Sequence, residues 1–300
     1  MNLRSFETRT YGKWILAGEH TVLRGGRALV FPLKSRFLDW RFQPMPTGSL
    51  EVLIPQGYPE EFKLLFWSVF EKACELKNLK VSDFSGRLEM KAEILVGSGL
   101  GASATLCVAL SRWFQQLGLV AQDEAFLFAK LLEDVFHGES SGVDVAVVLS
   151  ESGLIFQKGQ EPEIFQASWQ PQWFLSHCGE KGITKECVQK VKALGEKNPA
   201  LLERLDSQMK RSVSLCLGAL REDERSGLGP LVEALILAHD CFRDWGLITE
   251  KLEDHLQMLK NAGALAVKPT GSGGGGFVLS LWATQPPKDL SVSFLKASVM

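Results

Sequence analysis

Apolar residues recur along this chain in two rhythms, and the switches between them outline its elements. Residues 1–55 read as strands and turns. Trp14-Ile15-Leu16-Ala17 is a short apolar run, and Ala28-Leu29-Val30-Phe31 is another that Pro32 ends; Phe37 to Phe42 alternates, and Leu50 to Ile54 follows a Pro/Gly-rich turn. Pro59 then opens a helix whose Phe62, Leu65, Phe66, Val69, Phe70 and Ala73 share one face. Leu88 to Leu95 alternates like a strand and runs into the glycine turn Gly97 to Gly101. The helix expected from Ala102 to Leu117 is apolar nearly all round, which predicts burial, and a further helix covers Gln122 to Phe136. In that second helix the core stripe reads as Leu127, Phe128, Leu131, Leu132 and Val135, with Glu133 at its edge.

The rest of the chain is mostly helical. A strand at Trp173 to His177 precedes a helix opened by Thr184, and longer helices follow at Pro199 to Leu220, Leu228 to Trp245 and Thr249 to Gly263. Strand candidates Leu265 to Val267 and Phe277 to Trp282 flank the glycine run Gly271 to Gly276. Strands and helices mix without regular alternation, so the expected class is α+β rather than a doubly wound sheet. A boundary near residue 160 divides the chain into domains 1–160 and 161–300.

Composition narrows the function classes. With 300 residues, 45% of them hydrophobic, the chain can bury a large core. A net charge of -2, from 33 basic and 35 acidic side chains, argues against a nucleic-acid partner. No apolar run reaches the ~18 residues of a membrane span. The polar, charged segment Met1 to Gly12 lacks the apolar stretch of a secretory signal, so the expected location is cytoplasmic. Six scattered cysteines without a C-x-x-C pair read as buried free thiols. The five histidines show no spacing for a zinc site.

Candidate chemistry gathers in four places. Gly97-Ser98-Gly99-Leu100-Gly101-Ala102-Ser103-Ala104 joins a strand to a helix start, where glycines permit close approach and backbone N–H groups favour an anion. A tight connection would use the same residues, and no G-K-[ST] follows to make a Walker motif. Lys13 precedes an apolar strand, either as a surface flank or as a point charge beside a phosphoryl oxygen. Glu19 and His20 follow that strand and can hydrogen-bond a polar substrate. Glu133 is either a solvated flank or a metal ligand. Asp144 leads into the apolar run Val145 to Leu149, as a helix cap or as a base. The run Gly271 to Gly276 lies between two apolar strands, so it reads as a rigid loop rather than a linker.

Together these stretches resemble the motifs of the GHMP kinases, in the form carried by the mevalonate kinases among them. Gly12-Lys13-Trp14-Ile15-Leu16-Ala17-Gly18-Glu19-His20 is similar to the first motif, and Gly99-Leu100-Gly101-Ala102-Ser103-Ala104 to the central G-L-G-S-S-A. His137-Gly138-Glu139-Ser140-Ser141-Gly142-Val143-Asp144 is similar to H-G-x-P-S-G-x-D, with Glu133 eleven residues ahead of the aspartate. Thr184 matches the threonine of T-G-x-x-x-S-T-K, and Lys268 to Gly276 resembles K-L-T-G-A-G-G-G-G. Ala102, Val96 and Ser140 depart from the family pattern.

The resemblance implies a ribosomal protein S5 domain 2-like N-terminal domain and a ferredoxin-like C-terminal domain. It implies ATP held at Gly97, Gly99, Leu100, Gly101, Ala102, Ser103 and Ala104, and Mg²⁺ held by Ser103 and Glu133. Asp144 and Lys13 become the catalytic pair, and Glu19, His20, Thr184, Thr270, Gly271 and Gly273 contact the acceptor. The implied partner is a small-molecule alcohol, mevalonate first and phosphomevalonate next; a homodimer is compatible with it, and neither nucleic acid nor membrane is called for. A GHMP-fold sensor without catalysis would have lost Lys13, Ser103, Glu133 and Asp144, all of which are present.

Overall fold

The computed structural model describes residues 3–54, 60–94, 97–138 and 140–299. Pro59, Leu95, Val96 and Glu139, which figure in the expectations above, lie outside the described residues. In chain order the elements are β1 (Phe6–Ala17), β2 (Arg27–Pro44), β3 (Leu50–Leu53), α1 (Glu60–Leu76), β4 (Gly86–Ala92), α2 (Ala102–Gln116), α3 (Ala125–His137), α4 (Val143–Ser150), β5 (Leu154–Gln157), β6 (Glu163–Ile164) and β7 (Gln172–His177). Then come α5 (Thr184–Lys197), α6 (Pro199–Arg221), α7 (Glu224–Asp244), α8 (Glu250–Asn261), β8 (Ala266–Pro269), β9 (Phe277–Trp282) and β10 (Phe294–Ala297). This is the expected α+β mixture. Two compact units emerge, one made of Met1–Gly12, Lys34–Val96 and Gly101–Ser150, the other of Lys13–Leu33, Gly97–Leu100 and Glu151–Met300.

In the first unit β4 alternates as its sequence requires, with Leu88, Met90 and Ala92 inward and Arg87, Glu89 and Lys91 outward. It pairs antiparallel with the later part of β2, from Leu38 opposite Ala92 to Pro44 opposite Gly86, and parallel with β3. Helix α1 buries Phe62, Phe66, Val69, Phe70 and Ala73, the face its spacing predicts. These side chains join Trp40, Phe42, Phe84, Trp113 and Phe114 in an aromatic core, where the Phe70 and Trp113 rings stack at 5.9 Å. Truncating one such buried aromatic to alanine costs about 3–5 kcal/mol. The all-round apolar helix α2 is buried along most of its length, as expected.

Helix α3 corrects the stripe read from sequence. Leu127, Leu131 and Val135 are 57%, 40% and 43% exposed. The buried face keeps Phe128 and Leu132 of that stripe and replaces the other three with Ala125, Ala129 and Glu133, a turn about the helix axis. Small residues at 125 and 129 let this face approach its neighbours closely, whereas Leu127, Leu131 and Val135 in their place would add bulk. Glu133 therefore stands inside the buried face, 2% exposed, and not at the edge of it.

In the second unit the early part of β2 pairs antiparallel with β5, from Arg27 opposite Gln157 to Val30 opposite Leu154, and β5 pairs with β6. Pro32 does not end the strand, which continues to Pro44. The proline falls between the stretch registered with β5 and the stretch registered with β4, so its missing N–H weakens neither of those ladders. A second sheet has the order β10-β7-β9-β8 with antiparallel neighbours. Strand β9 is buried at every residue. Leu252, Leu256 and Leu259 of α8 pack with Phe174, Val267, Val278 and Trp282.

Helix starts in this unit are fixed by side-chain caps. Asn198 accepts from Leu201 N for α6, Asp223 from Ser226 N for α7, and Thr249 from Leu252 N for α8. The Asp223 cap explains why α7 begins before Leu228, which leaves Pro230 inside the helix. All six cysteines are buried and free. Among the described residues no helix is long and apolar enough to cross a membrane.

Candidate active site

Strand β1 runs into the turn Gly18-Glu19-His20, and its last residues are tied to the glycine run within the second unit. Lys13 is buried, and its backbone N–H donates to Leu100 O at 2.9 Å. Ile15 N donates to Thr270 Oγ1 at 3.0 Å, and that hydroxyl donates back to Ile15 O at 2.9 Å. The Thr270 hydroxyl, expected from sequence to face the acceptor, is thus engaged with the β1 backbone and buried. Gly18 has φ 102°, and a Cβ there would lie 2.3 Å from Arg27 O, so only glycine lets β1 turn against β2.

Glu19 and His20 are both buried. Glu19 pairs with Lys268 of β8, which was quoted in the glycine motif but assigned no role from sequence. Burial pushes the Glu19 carboxyl up, while the charges of Lys268 and, more weakly, Lys13 pull it down; the net shift is upward. The ring of His20 packs against Phe242 and Trp245, with centroids at 6.1 and 5.0 Å. Its Nε2 lies 2.9 Å from Ser272 O, so that nitrogen carries the proton. Burial lowers the His20 pKa to about 4, and the imidazole is neutral near pH 7.

The run Gly271 to Gly276 is a fixed loop, as its position between strands predicts. Gly274 N donates to Leu247 O at 2.8 Å, Gly276 N to Glu180 O at 2.7 Å, and Cys178 N to Gly276 O at 3.0 Å. The Cys187 thiol donates to Gly273 O, and Ser272 Oγ lies 3.3 Å from Thr184 Oγ1. Gly271 sits against Gly99, and Gly276 against Ser98 O, close enough that a Cβ on either would crowd the first loop. Lys13, Glu19, His20, Gly97, Gly99, Leu100, Thr184, Thr270, Gly271 and Gly273 therefore all fall in the second unit.

The remaining candidates fall in the first unit. Gly101, with φ 81°, caps the start of α2, and Ala102, Ser103 and Ala104 form its first turn, which holds no acidic residue. Amides at such a helix start favour an anion. Burial and then the charge of Glu133 raise the Cys107 thiol well above its usual range. Glu133 is therefore near the α2 face that Ser103 shares, since positions four apart are neighbours on a helix. Ser103 and Glu133 supply a hydroxyl and a carboxylate, the hard oxygen donors that suit Mg²⁺. Asp144 lies in the first turn of α4 and is partly exposed.

Sequence reasoning missed Asp134. It pairs with Lys130 and accepts from Ser140 N at 2.7 Å, which shapes the approach to α4. Burial opposes ionisation there, but Lys130 and Ser140 outweigh it and hold the carboxyl below its usual range. The i,i+4 lysine was the signal available in the sequence.

Comparison with known proteins agrees with the motifs. The profile described as GHMP kinases N terminal domain matches residues 65–152. The mevalonate kinase of Thermococcus sibiricus is 31% identical over 307 residues, covering 94% of this chain and 89% of its own length. The mevalonate kinase of Thermococcus gammatolerans is 28% identical, with the same shares covered. Among solved structures, L. major mevalonate kinase in complex with R-mevalonate has a TM-score of 0.78 at 23% identity, covering 96% of this chain and 94% of that one, which shows the shared fold. With a relative this similar along nearly its whole length, and with the family's motifs in order from Gly12 to Phe277, the chain belongs to the GHMP kinase family, with the mevalonate kinases.

Proposed function

We propose that this chain transfers the γ-phosphoryl group of ATP to the hydroxyl of mevalonate, giving 5-phosphomevalonate and ADP. The observation that carries the reading is the near full-length match to the T. sibiricus mevalonate kinase, with Lys13, Ser103, Glu133 and Asp144 all present at motif positions. A loose phosphoryl transition state asks a protein for positioning and charge more than for covalent chemistry. The glycine loop and the start of α2 supply amides for the phosphates, and Ser103 and Glu133 supply oxygens for Mg²⁺, which when bound would neutralise phosphate charge. Asp144 takes the acceptor hydroxyl's proton as the new O–P bond forms, and Lys13 stabilises the oxygens in flight. Glu19, His20, Thr184 and the 270–273 loop shape the acceptor side. The enzyme works on a diffusible alcohol, and we place it in the cytoplasm.

One alternative is phosphomevalonate as acceptor, favoured by Val145-Ala146 after Asp144. It needs extra cations for the second phosphate, and Arg24, four residues beyond His20, is held by Asp206 through two hydrogen bonds. Coupled ADP release with Mg²⁺-ATP, measured against mevalonate, phosphomevalonate, galactose and homoserine, decides the matter. Fast release with mevalonate alone is the expected outcome. Preference for phosphomevalonate would replace the acceptor assignment, and silence with all four despite ATP binding would point to another alcohol substrate or to a non-catalytic sensor.

A further inference from the structure

Strand β8 is buried at all four residues, yet the third of them is Lys268, 0% exposed. Buried ion pairs can often be replaced by apolar side chains of similar size without loss of stability. The fold alone therefore does not call for a cation here. Lys268 Nζ pairs with Glu19 Oε1 at 2.5 Å, donates to Ile15 O at 3.3 Å, and lies 5.6 Å from the centre of the Phe242 ring. All three contacts bear on one short segment. Ile15 is also held by Thr270, two residues beyond Lys268, and Phe242 packs on His20. One buried ammonium and the hydroxyl beside it thus clamp residues 15–20 to the strand that leads into the glycine run.

The carboxylate at the centre of the clamp is half used. Glu19 is 2% exposed, and its Oε2 is buried with no hydrogen-bond partner among the described residues. Such an orphan acceptor is costly unless a ligand satisfies it. We propose that Lys268 is a positioning residue for phosphoryl transfer, fixing Glu19 by one oxygen so that Oε2 accepts a hydroxyl proton donor of the alcohol substrate. This rests on the kinase reading above. Lys268 acts through Glu19 and does not itself touch substrate.

Three variants test this, Lys268→Met, Lys268→Arg and Glu19→Gln, each read by amide hydrogen exchange and by steady-state kinetics. In Lys268→Met, exchange quickens at residues 18–24 while α1 and α2 keep their protection, and Lys268→Arg restores it. The KM for the alcohol rises roughly tenfold to a hundredfold in Lys268→Met, with the KM for ATP unchanged, as misplacement of a ligand group predicts. In a Glu19→Gln background Lys268→Met raises that KM no further. Unchanged protection at 18–24, or effects on KM that multiply independently, would overturn the proposal. If Lys268→Met does not fold, the isosteric Glu19→Gln reads the clamp from its other end, and full protection at 18–24 in that variant counts against it. A wild-type protein that phosphorylates none of the alcohols overturns the substrate role of Oε2 together with the acceptor assignment, while the exchange comparison still decides the Lys268 clamp by itself.

Discussion

The buried imidazole of His20 ties the stability of this protein to pH. Its native pKa lies at about 4 against an ordinary value of 6.5, chiefly through burial; Arg24 opposes its protonation, and the Ser272 carbonyl and Asp206 favour it. As pH falls through 6.5 the unfolded chain takes up a proton that the native chain declines until about 4. The unfolded state then binds more protons, so stability is full above 6.5 and lost on the way down to 4. The gap between the two pKa values corresponds to a loss of about 3 kcal/mol across that window. Urea unfolding at half-unit steps from pH 7.5 to 4 measures it. His177, His239 and His255 are also lowered by burial and contribute to the total slope, so the quantity to read is wild type minus His20→Gln. Glutamine keeps a donor for Ser272 O and cannot charge. The difference is expected to open steadily below 6.5 in favour of the variant. Curves that stay parallel to within about 0.5 kcal/mol, the usual size of a neutral change, would refute the reasoning.

Other outcomes follow from the same geometry. Leu132→Ala should destabilise by about 2–5 kcal/mol, because the side chain is fully buried. Leu131→Ala should stay within about 0.5 kcal/mol; the reverse order in denaturant unfolding would put Leu131 rather than Leu132 in the buried face. Gly18→Ala forces a positive φ and a clash with Arg27 O, with an expected loss on the order of 2 kcal/mol or more in thermal unfolding; a variant as stable as its parent would contradict the close approach of β1 and β2. Asp144→Asn should lower turnover by roughly a hundredfold or more while nucleotide binding, followed by calorimetry, persists; an active variant removes Asp144 from the mechanism. Glu133→Gln should raise the Mg²⁺ concentration for half-maximal rate by about tenfold, read from a metal titration of the rate, and an unmoved midpoint would dismiss Glu133 as a ligand.

Local pattern made much of this protein legible. The aromatic face of α1, the all-apolar α2, the strand β9 and the rigid glycine run all follow from spacing and neighbours within a few residues. The motifs, in their order, carried the family, since each is a short stretch whose glycines and charges have local reasons to be there. Strands β5 and β10 were not legible, because four residues without clear alternation carry no periodic signal and only their partners β2 and β7 define them.

Packing in three dimensions sets how a periodic helix is turned toward its neighbours, and which distant residues meet at all. Local spacing makes α3 a helix; packing turned it so that Leu127, Leu131 and Val135 face outward while Phe128 and Leu132 stay buried beside Ala125, Ala129 and Glu133. Lys268 and Glu19 lie 249 positions apart, and Thr270 and Ile15 are 255 apart. Spacing along a chain reports periodicity over one or two turns of an element. The burial of a charge and the identity of its counter-ion depend on which elements come together, and that is set by the packing of the whole core.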